Sequence, residues 1–319
     1  MSRLVTITTL SFRAQDAQNV EKALEQAGDL IDLAAHDKPD LIVLPEAFAA
    51  QNRESQTSEA SFCHSVQAIG GSIMRTIAEK ARTYRCYIAT PLILERTGRR
   101  YNSIVLLDRD GTIQATYHKC YPPIFELEEG RDIRPGTEPV TVDTDFGRLG
   151  FLVCFDLNFG ELLDRYRRLD VDLAVFCSMF SGGLLARAWA LLTGCYLVSS
   201  FPGEGSLIVN PLGRVLGRSS LPNLQIMTRR IDMDYVVLHL DYNQPRLIDV
   251  RTRFGDRIDL EIDEEEGRMI LTCRDPNMTA GNICAQIGLE DLATFFRRSL
   301  AAREQALKSG PLTAGPSSW

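Results

Sequence analysis

Short apolar runs alternate along this chain with longer stretches in which apolar residues recur at helical spacing. The apolar runs predict strands at 4–9, 41–44, 86–94, 102–107, 112–118, 149–153, 171–177 and 195–200. The amphipathic stretches predict helices near 15–35, 62–83, 160–168 and 183–192. Turn residues at 110–111 and 210–213 predict two hairpins, the second across 206–217. Strands that alternate with helices in this way are typical of an α/β fold.

Three predicted strands end in polar residues that their apolar neighbours do not explain. The run DLIVLPEA at 40–47 closes with Glu46, and the hairpin around 110–111 leads into Lys119. The buried strand 149–153 leads into Cys154, which a turn separates from the next helix. Open α/β sheets place ligands at the carboxyl ends of their strands, so these three side chains form a candidate site.

The three residue types suit the hydrolysis of a carbon–nitrogen bond. A free thiol is only a few per cent thiolate near neutral pH, so Cys154 needs a base to become a nucleophile. Glu46 fits that role, and it can later return the proton to the departing amine. Lys119 and the backbone N–H of Phe155 fit the stabilisation of the oxyanion, where one donor is worth about 3 kcal/mol.

The blocks around these residues resemble the nitrilase superfamily of carbon–nitrogen hydrolases, whose signature is a Glu–Lys–Cys triad in this chain order. The blocks are LIVLPEA at 41–47, YNSIVLLDRDGTIQATYHK at 101–119, RPG at 134–136, GRLGFLVCFDLNFGEL at 147–162, ARA at 186–188 and GSLIVNPLGRVLG at 205–217. The resemblance implies an αββα sandwich that pairs with a second copy into an αββααββα assembly. It also implies hydrolysis of a small-molecule amide, N-carbamoyl compound or nitrile through a thioester on Cys154.

The family carries a second glutamate after the lysine, and this chain offers three in the loop YPPIFELEEGRDIRPG. Glu126 best matches the family form, in which a Tyr-Pro pair precedes one glutamate, and the resemblance implies that it holds Lys119 and orients substrate. Glu128 and Glu129 remain alternatives for the second glutamate, although an acidic turn in solvent explains these two better.

The chain also departs from the family pattern after the cysteine. Many members read C-x-D-x-R-F/Y-P-E, whereas Asn158 replaces the arginine and Gly160 replaces the proline here. Asp156 matches the family, and we expect it to serve the turn rather than the reaction. The usual R-A-x-E-N is RAWAL at 187–191, which lacks the glutamate and the asparagine. The acyl group of the substrate therefore stays open, as does the choice between amide, nitrile and carbamoyl compounds.

The chain has 319 residues, of which 45% are hydrophobic, enough to bury one large core. We predict a carbon–nitrogen hydrolase domain at 1–240, an extension at 241–309 that packs on the core or on a partner subunit, and a disordered tail at 310–319. Within the extension, the pattern predicts a hairpin across 257–273 and a helix at 289–307, after a mixed, charged stretch at 241–254.

Charge and cysteine usage exclude several classes of protein. The net charge is −7 and no Lys/Arg cluster occurs, which argues against nucleic acid and anionic membranes as partners. No run approaches the ~18 apolar residues that span a bilayer, and the amino terminus does not resemble a signal peptide. The eight cysteines and four histidines show neither a disulfide framework nor metal-ligand spacing. We therefore predict a cytoplasmic enzyme that uses neither a metal nor another cofactor.

Other functions stay open at this point. A Cys–His hydrolase or acyltransferase could use Cys154 with His118 or His239. His118 precedes Lys119, and because side chains alternate along a strand, only one of the two can face the site. A binding protein that keeps the fold without turnover is the remaining alternative.

We also predict a homodimer or higher homo-oligomer. The helices at 160–168 and 183–192 carry more apolar residues than one sheet face requires, and the resemblance implies that these helices form the dimer interface. The residues concerned are Leu162, Leu163, Leu185, Trp189 and Leu192.

Overall fold

The structure, a computed structural model, describes residues 3–128, 131–219 and 225–308. The chain divides into two compact units, of which one comprises Arg3–Met233 and the other begins at Asp234. The sequence placed the domain boundary later, between residues 240 and 241, and that domain organisation stays a prediction. The predicted tail at 310–319 lies outside the described residues.

The first unit alternates strands and helices, as the hydrophobic pattern predicts. Its described helices are α1 (Val20–Ala34), α2 (Arg53–Thr57), α3 (Glu59–Ser65), α4 (Ser72–Tyr84), α5 (Ile124–Glu128), α6 (Gly160–Tyr166) and α7 (Gly183–Thr193). Its described strands are β1 (Leu4–Leu10), β2 (Leu41–Val43), β3 (Gln67–Ala68), β4 (Tyr87–Arg96), β5 (Arg99–Leu107), β6 (Ile113–His118), β7 (Thr141–Thr144), β8 (Gly147–Val153), β9 (Leu173–Cys177), β10 (Tyr196–Ser200), β11 (Leu207–Val209), β12 (Val215–Arg218) and β13 (Ile226–Asp232).

These strands form two mixed sheets. The first has the order β13-β1-β2-β4-β5-β6, with β3 paired to β4, and the second has the order β12-β11-β10-β9-β8-β7. Parallel pairs occupy the middle of each sheet. They are β1–β2 and β2–β4 in the first sheet, and β8–β9 and β9–β10 in the second. The sheets meet at β1 and β10, where the Thr9 hydroxyl donates to the Ser199 carbonyl at 2.7 Å.

Helices cover the face of each sheet that does not meet the other. Ala27 and Ile31 of α1 and Ile77 of α4 pack on the first sheet, where Ile42 and Val105 are fully buried. On the second sheet, the corresponding core combines α6 and α7 with β8 to β11, through residues such as Leu162, Trp189, Phe176 and Leu197. The mixed α/β fold with helix-flanked sheets is confirmed.

One predicted helix is wrong. The pattern near 62–83 predicted a single helix, but the chain forms α3, the short strand β3 and then α4. Helix α3 ends at Ser65, where the backbone of Val66 is already extended. Gly70 follows β3 with a left-handed φ of 78°, and Gly71 is the N-cap residue of α4. A Cβ on Gly71 would lie 2.4 Å from Oε1 of Gln67. The two glycines therefore separate two helical stretches that have compatible apolar spacing.

The second unit has its own small sheet and core. Its elements are β14 (Tyr235–His239), α8 (Leu247–Phe254), β15 (Ile258–Asp263), β16 (Arg268–Cys273), α9 (Ala280–Ile287) and α10 (Leu292–Lys308). The three strands form an antiparallel sheet in the order β14-β16-β15. The predicted hairpin and last helix are confirmed, whereas α8 and α9 were not predicted from the sequence. Nowhere in the described ranges does a helix have the length and apolarity to cross a membrane.

Candidate active site

The three predicted site residues lie at strand ends and meet in the structure. Glu46 comes shortly after β2, Lys119 directly follows β6, and Cys154 directly follows β8. Lys119 Nζ lies 3.1 Å from Glu46 Oε1, and both side chains are almost completely buried. Besides burial, the charges of both groups act on the pKa of the Cys154 thiol, which Glu46 raises and Lys119 lowers. Two strands of one sheet and one strand of the other therefore supply a carboxylate, an ammonium and a thiol to one place.

The two oxygens of Glu46 have different surroundings. Oε1 accepts hydrogen bonds from Lys119 Nζ at 3.1 Å and from Asn102 Nδ2 at 2.7 Å. Oε2 is buried and has no hydrogen-bond partner among the described residues. Leaving a buried acceptor unpaired costs about 1–3 kcal/mol, so Oε2 is the oxygen of Glu46 that remains available for a hydrogen bond.

The backbone fixes Lys119 on both sides. Its N–H donates to the Asn102 carbonyl at 2.8 Å, and its carbonyl accepts from Gly136 N–H at 2.7 Å. Only glycine fits at position 136, since a Cβ there would lie 2.2 Å from the carbonyl oxygen of His118. Burial alone would lower the pKa of Lys119, but the carboxylates of Glu46 and Glu126 overcome that effect and raise it. The ammonium therefore keeps its charge at neutral pH.

Cys154 begins a 3-10 helix that ends at Asn158, and its own φ is 47°. A non-glycine residue in this left-handed conformation costs roughly 1–2 kcal/mol, strain of the kind that accumulates at functional sites. Burial and then the charge of Glu46 raise the pKa of the Cys154 thiol to about 12, against the opposing charge of Lys119. The thiol is therefore protonated in the resting protein, and a reaction at sulfur needs a base.

Phe155 is the second residue of this 3-10 helix, and its ring is 38% exposed. The N–H groups in the first turn of a helix have no acceptor within the helix, so the backbone of Phe155 is available to a ligand at the thiol. Its ring contacts Phe159 edge to face with centroids 5.4 Å apart, and Phe159 in turn stacks on Tyr121 at 3.9 Å. Three aromatic side chains thus form a cluster that begins at the residue next to Cys154.

Among the three candidate second glutamates, Glu126 is the one that the structure brings to Lys119. It lies on α5, and its Oε1 is 2.8 Å from Lys119 Nζ. Burial raises the pKa of Glu126, although the charge of Lys119 opposes this. The side chain of Glu128 and the whole of Glu129 lie outside the described residues.

Asp156 ties the cysteine turn to the lysine hairpin. Its Oδ2 accepts from the Tyr117 hydroxyl at 2.7 Å and from Val153 N–H at 2.8 Å, and its Oδ1 accepts from Tyr121 N–H at 2.8 Å. Tyr117 and Tyr121 flank Lys119 by two residues on each side, whereas Val153 immediately precedes Cys154. The expected structural role of Asp156 therefore extends across both sheets.

Two residues of this site were not predicted from the sequence. Asn102 donates to Glu46, and Ser178, which directly follows β9, supplies a hydroxyl to the Cys154 thiol. Both are fully or almost fully buried. Each of these two residues begins or ends an apolar run, which is the signal that could have identified them. The same signal identified Glu46, Lys119 and Cys154.

The structure does not support either histidine, His118 or His239, as the partner of Cys154 in a Cys–His hydrolase. His118 points away from Lys119, with its Nδ1 2.7 Å from the Ser103 hydroxyl and its ring stacked on Tyr101. His239 belongs to the second unit, where it stacks on Phe295. In the ranges that the structure describes, no group of His, Cys, Asp and Glu residues could hold a metal ion.

Comparison with known proteins defines the class of this fold and site. The sequence model of the carbon-nitrogen hydrolase family matches residues 6–238, so the chain belongs to that family. The chain is 28% identical over 262 residues to the nitrilase and fragile histidine triad fusion protein NitFhit of Drosophila melanogaster, a match that covers 73% of this chain. It spans only about half of that relative, 54% of its length.

A second curated relative and a solved structure are also similar to this chain. The omega-amidase NIT2 of Homo sapiens is 26% identical over 239 residues, which cover 67% of this chain and 83% of that protein. The crystal structure of Saccharomyces cerevisiae Nit3, a member of branch 10 of the nitrilase superfamily, superposes with a TM-score of 0.63 at 20% identity. That superposition covers 73% of this chain and 91% of Nit3, and it shows the nitrilase-type fold.

Proposed function

We propose that this protein hydrolyses the carbon–nitrogen bond of a small-molecule amide through a thioester on Cys154. The observation that carries the proposal is the buried Glu46–Lys119 pair beside a protonated thiol, with Oε2 of Glu46 left free. The family membership and the omega-amidase among the relatives support amide hydrolysis in particular. Nitriles and N-carbamoyl compounds are the other substrate classes to test.

The first half of the reaction forms the thioester. Oε2 of Glu46 accepts the thiol proton while the sulfur of Cys154 attacks the amide carbonyl carbon. The negative charge that develops on oxygen is stabilised by the Lys119 ammonium and the backbone N–H of Phe155. Glu46 then gives the proton to the amide nitrogen, the carbon–nitrogen bond breaks, and ammonia or an amine leaves. The acyl group remains on sulfur.

The second half reverses these roles with water. Oε2 of Glu46 takes a proton from water, and the oxygen attacks the thioester carbon. As the carbon–sulfur bond breaks, the proton returns to the sulfur, so the carboxylic acid leaves and the thiol is restored. Glu126 supports both halves because its carboxylate also holds the ammonium of Lys119, at 2.8 Å.

The test measures ammonia release from a panel of primary amides, nitriles and N-carbamoyl compounds. Wild type should release ammonia from at least one amide, Cys154→Ala should release none, and Cys154→Ser should retain little activity. The matched control is Cys63→Ala, since Cys63 is an exposed thiol on α3 and should be dispensable. The acyl group should appear as a mass increase on intact protein that hydroxylamine removes. Full turnover in Cys154→Ala would exclude the mechanism.

We further propose that two copies associate through α6 and α7. The support is that Leu184, Leu185 and Leu192 of α7 are 76%, 40% and 41% exposed. Two other residues predicted for the interface, Leu162 and Trp189, are buried in the core of their own chain, and for them the prediction is wrong. Trp189 Nε1 donates to the Leu157 carbonyl at 2.8 Å, within the 3-10 helix that Cys154 begins. Association of two copies through α7 would therefore stabilise the turn that carries the Cys154 thiol.

We propose a cytoplasmic location as well. All eight cysteines are free thiols in the structure. Oxidising compartments favour disulfides, so a chain with this many free thiols suits a reducing one.

A further inference from the structure

Asn102 lies at the centre of the buried charges although it carries no charge itself. Its side chain is 2% exposed, and its Nδ2 donates to Glu46 Oε1 at 2.7 Å and to Glu126 Oε1 at 3.5 Å. The ammonium of Lys119 donates to the same two oxygen atoms. Each carboxylate thus presents Oε1 to two donors, while each Oε2 is buried without a partner among the described residues.

We propose that Asn102 is a positioning residue that fixes which oxygen of Glu46 acts as the base. This inference rests on the proposed function. A carboxylate held by Lys119 alone can rotate about its last bond and present either oxygen to the ammonium. A second donor, fixed in space, removes that freedom. Oε1 is then committed to Asn102 and Lys119, and Oε2 is directed to the thiol proton.

The backbone makes Asn102 a rigid reference for this purpose. It lies in β5, which pairs with β4 on one side and β6 on the other, and it is directly opposite Ile93 of β4. Its carbonyl accepts the N–H of Lys119 at 2.8 Å. One residue therefore sets the position of the lysine backbone and of both carboxylates. The positions of these groups should affect the reaction rate strongly, because small displacements of reacting groups slow a reaction greatly.

The neutrality of the amide matters as much as its geometry. Two carboxylates share one ammonium here, and a second cation would compete with Lys119 for them. An amide NH2 supplies a donor without adding charge, and its other atom, Oδ1, is buried and unpaired among the described residues. A carboxyl group of the same shape would supply a donor only while protonated. Changing Asn102 to aspartate therefore converts the hydrogen bond into a pH-dependent one.

The experiment compares pH–rate profiles of wild type, Asn102→Asp and Asn102→Leu on the best amide found for the wild-type protein. At neutral pH both variants should lose about ten- to a hundredfold in kcat, the range expected for a hydrogen bond to a charged group, with a smaller change in KM. Asn102→Asp should recover activity as pH falls and the introduced carboxyl gains its proton. Asn102→Leu should show no recovery.

A double-mutant cycle tests whether Asn102 acts through Glu46. In a Glu46→Gln background, Asn102→Leu should cause little further loss, because the base that it positions is already gone. The matched control is Asn243→Asp in the second unit, where the buried amide donates to the His239 carbonyl at 2.8 Å. It should lower the melting temperature without changing the shape of the pH profile.

Several outcomes would overturn the proposal. They are wild-type kcat in Asn102→Leu, parallel pH profiles for wild type and Asn102→Asp, or additive losses in the cycle. If neither variant folds, the proposal is tested by the NMR signal of the Asn102 side-chain amide in the wild-type protein and in Glu46→Gln. The signal must move on Glu46→Gln, and an unchanged signal counts against the proposal. Absence of any amide hydrolysis by wild type is a separate result, which would refute the proposed function instead.

Discussion

The phenol of Tyr117 donates a 2.7 Å hydrogen bond to Oδ2 of Asp156, and both residues are completely buried. Tyr117 belongs to β6 in the sheet that delivers Lys119, whereas Asp156 belongs to the turn of Cys154 in the other sheet. Burial and the neighbouring carboxylate raise the pKa of Tyr117, so the phenol remains a donor at any pH that the protein experiences. This hydrogen bond therefore links the strand that leads to Lys119 with the turn that begins at Cys154.

Removing that hydroxyl should impair both stability and turnover. Tyr117→Phe leaves a buried carboxylate short of one donor, which should cost about 1.5–3 kcal/mol of unfolding free energy. Turnover should fall as well, because the cysteine turn loses its link to the lysine hairpin. The control is Tyr101→Phe, whose ring stacks on His118 and should keep that contact. Urea unfolding and steady-state kinetics would measure the two effects, and unchanged kcat in Tyr117→Phe would contradict the link.

Asp156 should make stability depend on pH in a defined direction. Burial raises the pKa of this carboxyl from 3.8 to about 6, despite the hydrogen bonds from Tyr117, Val153 and Tyr121. The folded state therefore binds the proton before the unfolded state does, and the contribution of Asp156 to stability grows as pH falls from 7 towards 4. A shift of this size corresponds to roughly 3 kcal/mol.

The measurement compares wild type with Asp156→Asn, in which this group no longer titrates. Unfolding free energies at pH 7 and at pH 4.5 should show the wild type gaining relative to the variant at the lower pH. Equal differences at the two pH values would mean that Asp156 ionises normally in the folded protein.

The charge of Glu46 should affect thiol alkylation and amide turnover in opposite directions. Glu46→Gln removes a negative charge that, after burial, does most to raise the pKa of the Cys154 thiol, while Lys119 stays in place. Iodoacetamide should therefore modify Cys154 faster in the variant at pH 8. Turnover should fall by about a hundredfold or more, because the base is gone. Peptide mass spectrometry would follow alkylation at Cys154, and slower alkylation in the variant would show that Glu46 already activates the resting thiol.

Glu126 should affect turnover because it orients Lys119. Glu126→Gln takes away one of the two carboxylates that hold the ammonium, at 2.8 Å, so the oxyanion donor loses part of its orientation. We expect kcat to fall by about tenfold, less than the hundredfold or more that loss of the oxyanion donor itself would cause. Glu79→Gln, an exposed position on α4, is the matched control and should retain wild-type kinetics. Equal activity of the two variants would remove Glu126 from the site.

The proposed dimer predicts a coupling between assembly and activity. Leu185→Arg places a charge on an exposed part of α7 and should lower both the sedimentation coefficient and turnover at micromolar concentration. Leu33→Arg introduces the same charge at a 59% exposed position on α1, and it should change neither property. A fully active wild-type monomer would refute the coupling and would leave the catalytic proposal intact.

The α/β alternation and the strand ends that carry Glu46, Lys119 and Cys154 can be read from the sequence alone. These are local features, because an apolar run followed by one unexplained polar residue is visible within a short window. The helix-flanked sheets follow from the same periodicity. The family blocks then indicated the chemistry, and Glu126 stood out from its neighbours by its spacing from the preceding Tyr-Pro pair.

The contacts between residues far apart in the chain depend on the three-dimensional fold, and no short sequence window contains them. Asn102 and Glu46 are 56 residues apart and Lys119 and Glu46 are 73 apart, so sheet register alone makes these pairs hydrogen-bonding partners. Packing decided that Trp189 fills the core of its own chain, although its spacing also suited an exposed helix face. The pairing of β3 with β4 interrupts one predicted helix where apolar spacing allowed it to continue. In each case the deciding contact joins segments that the sequence pattern treats as independent.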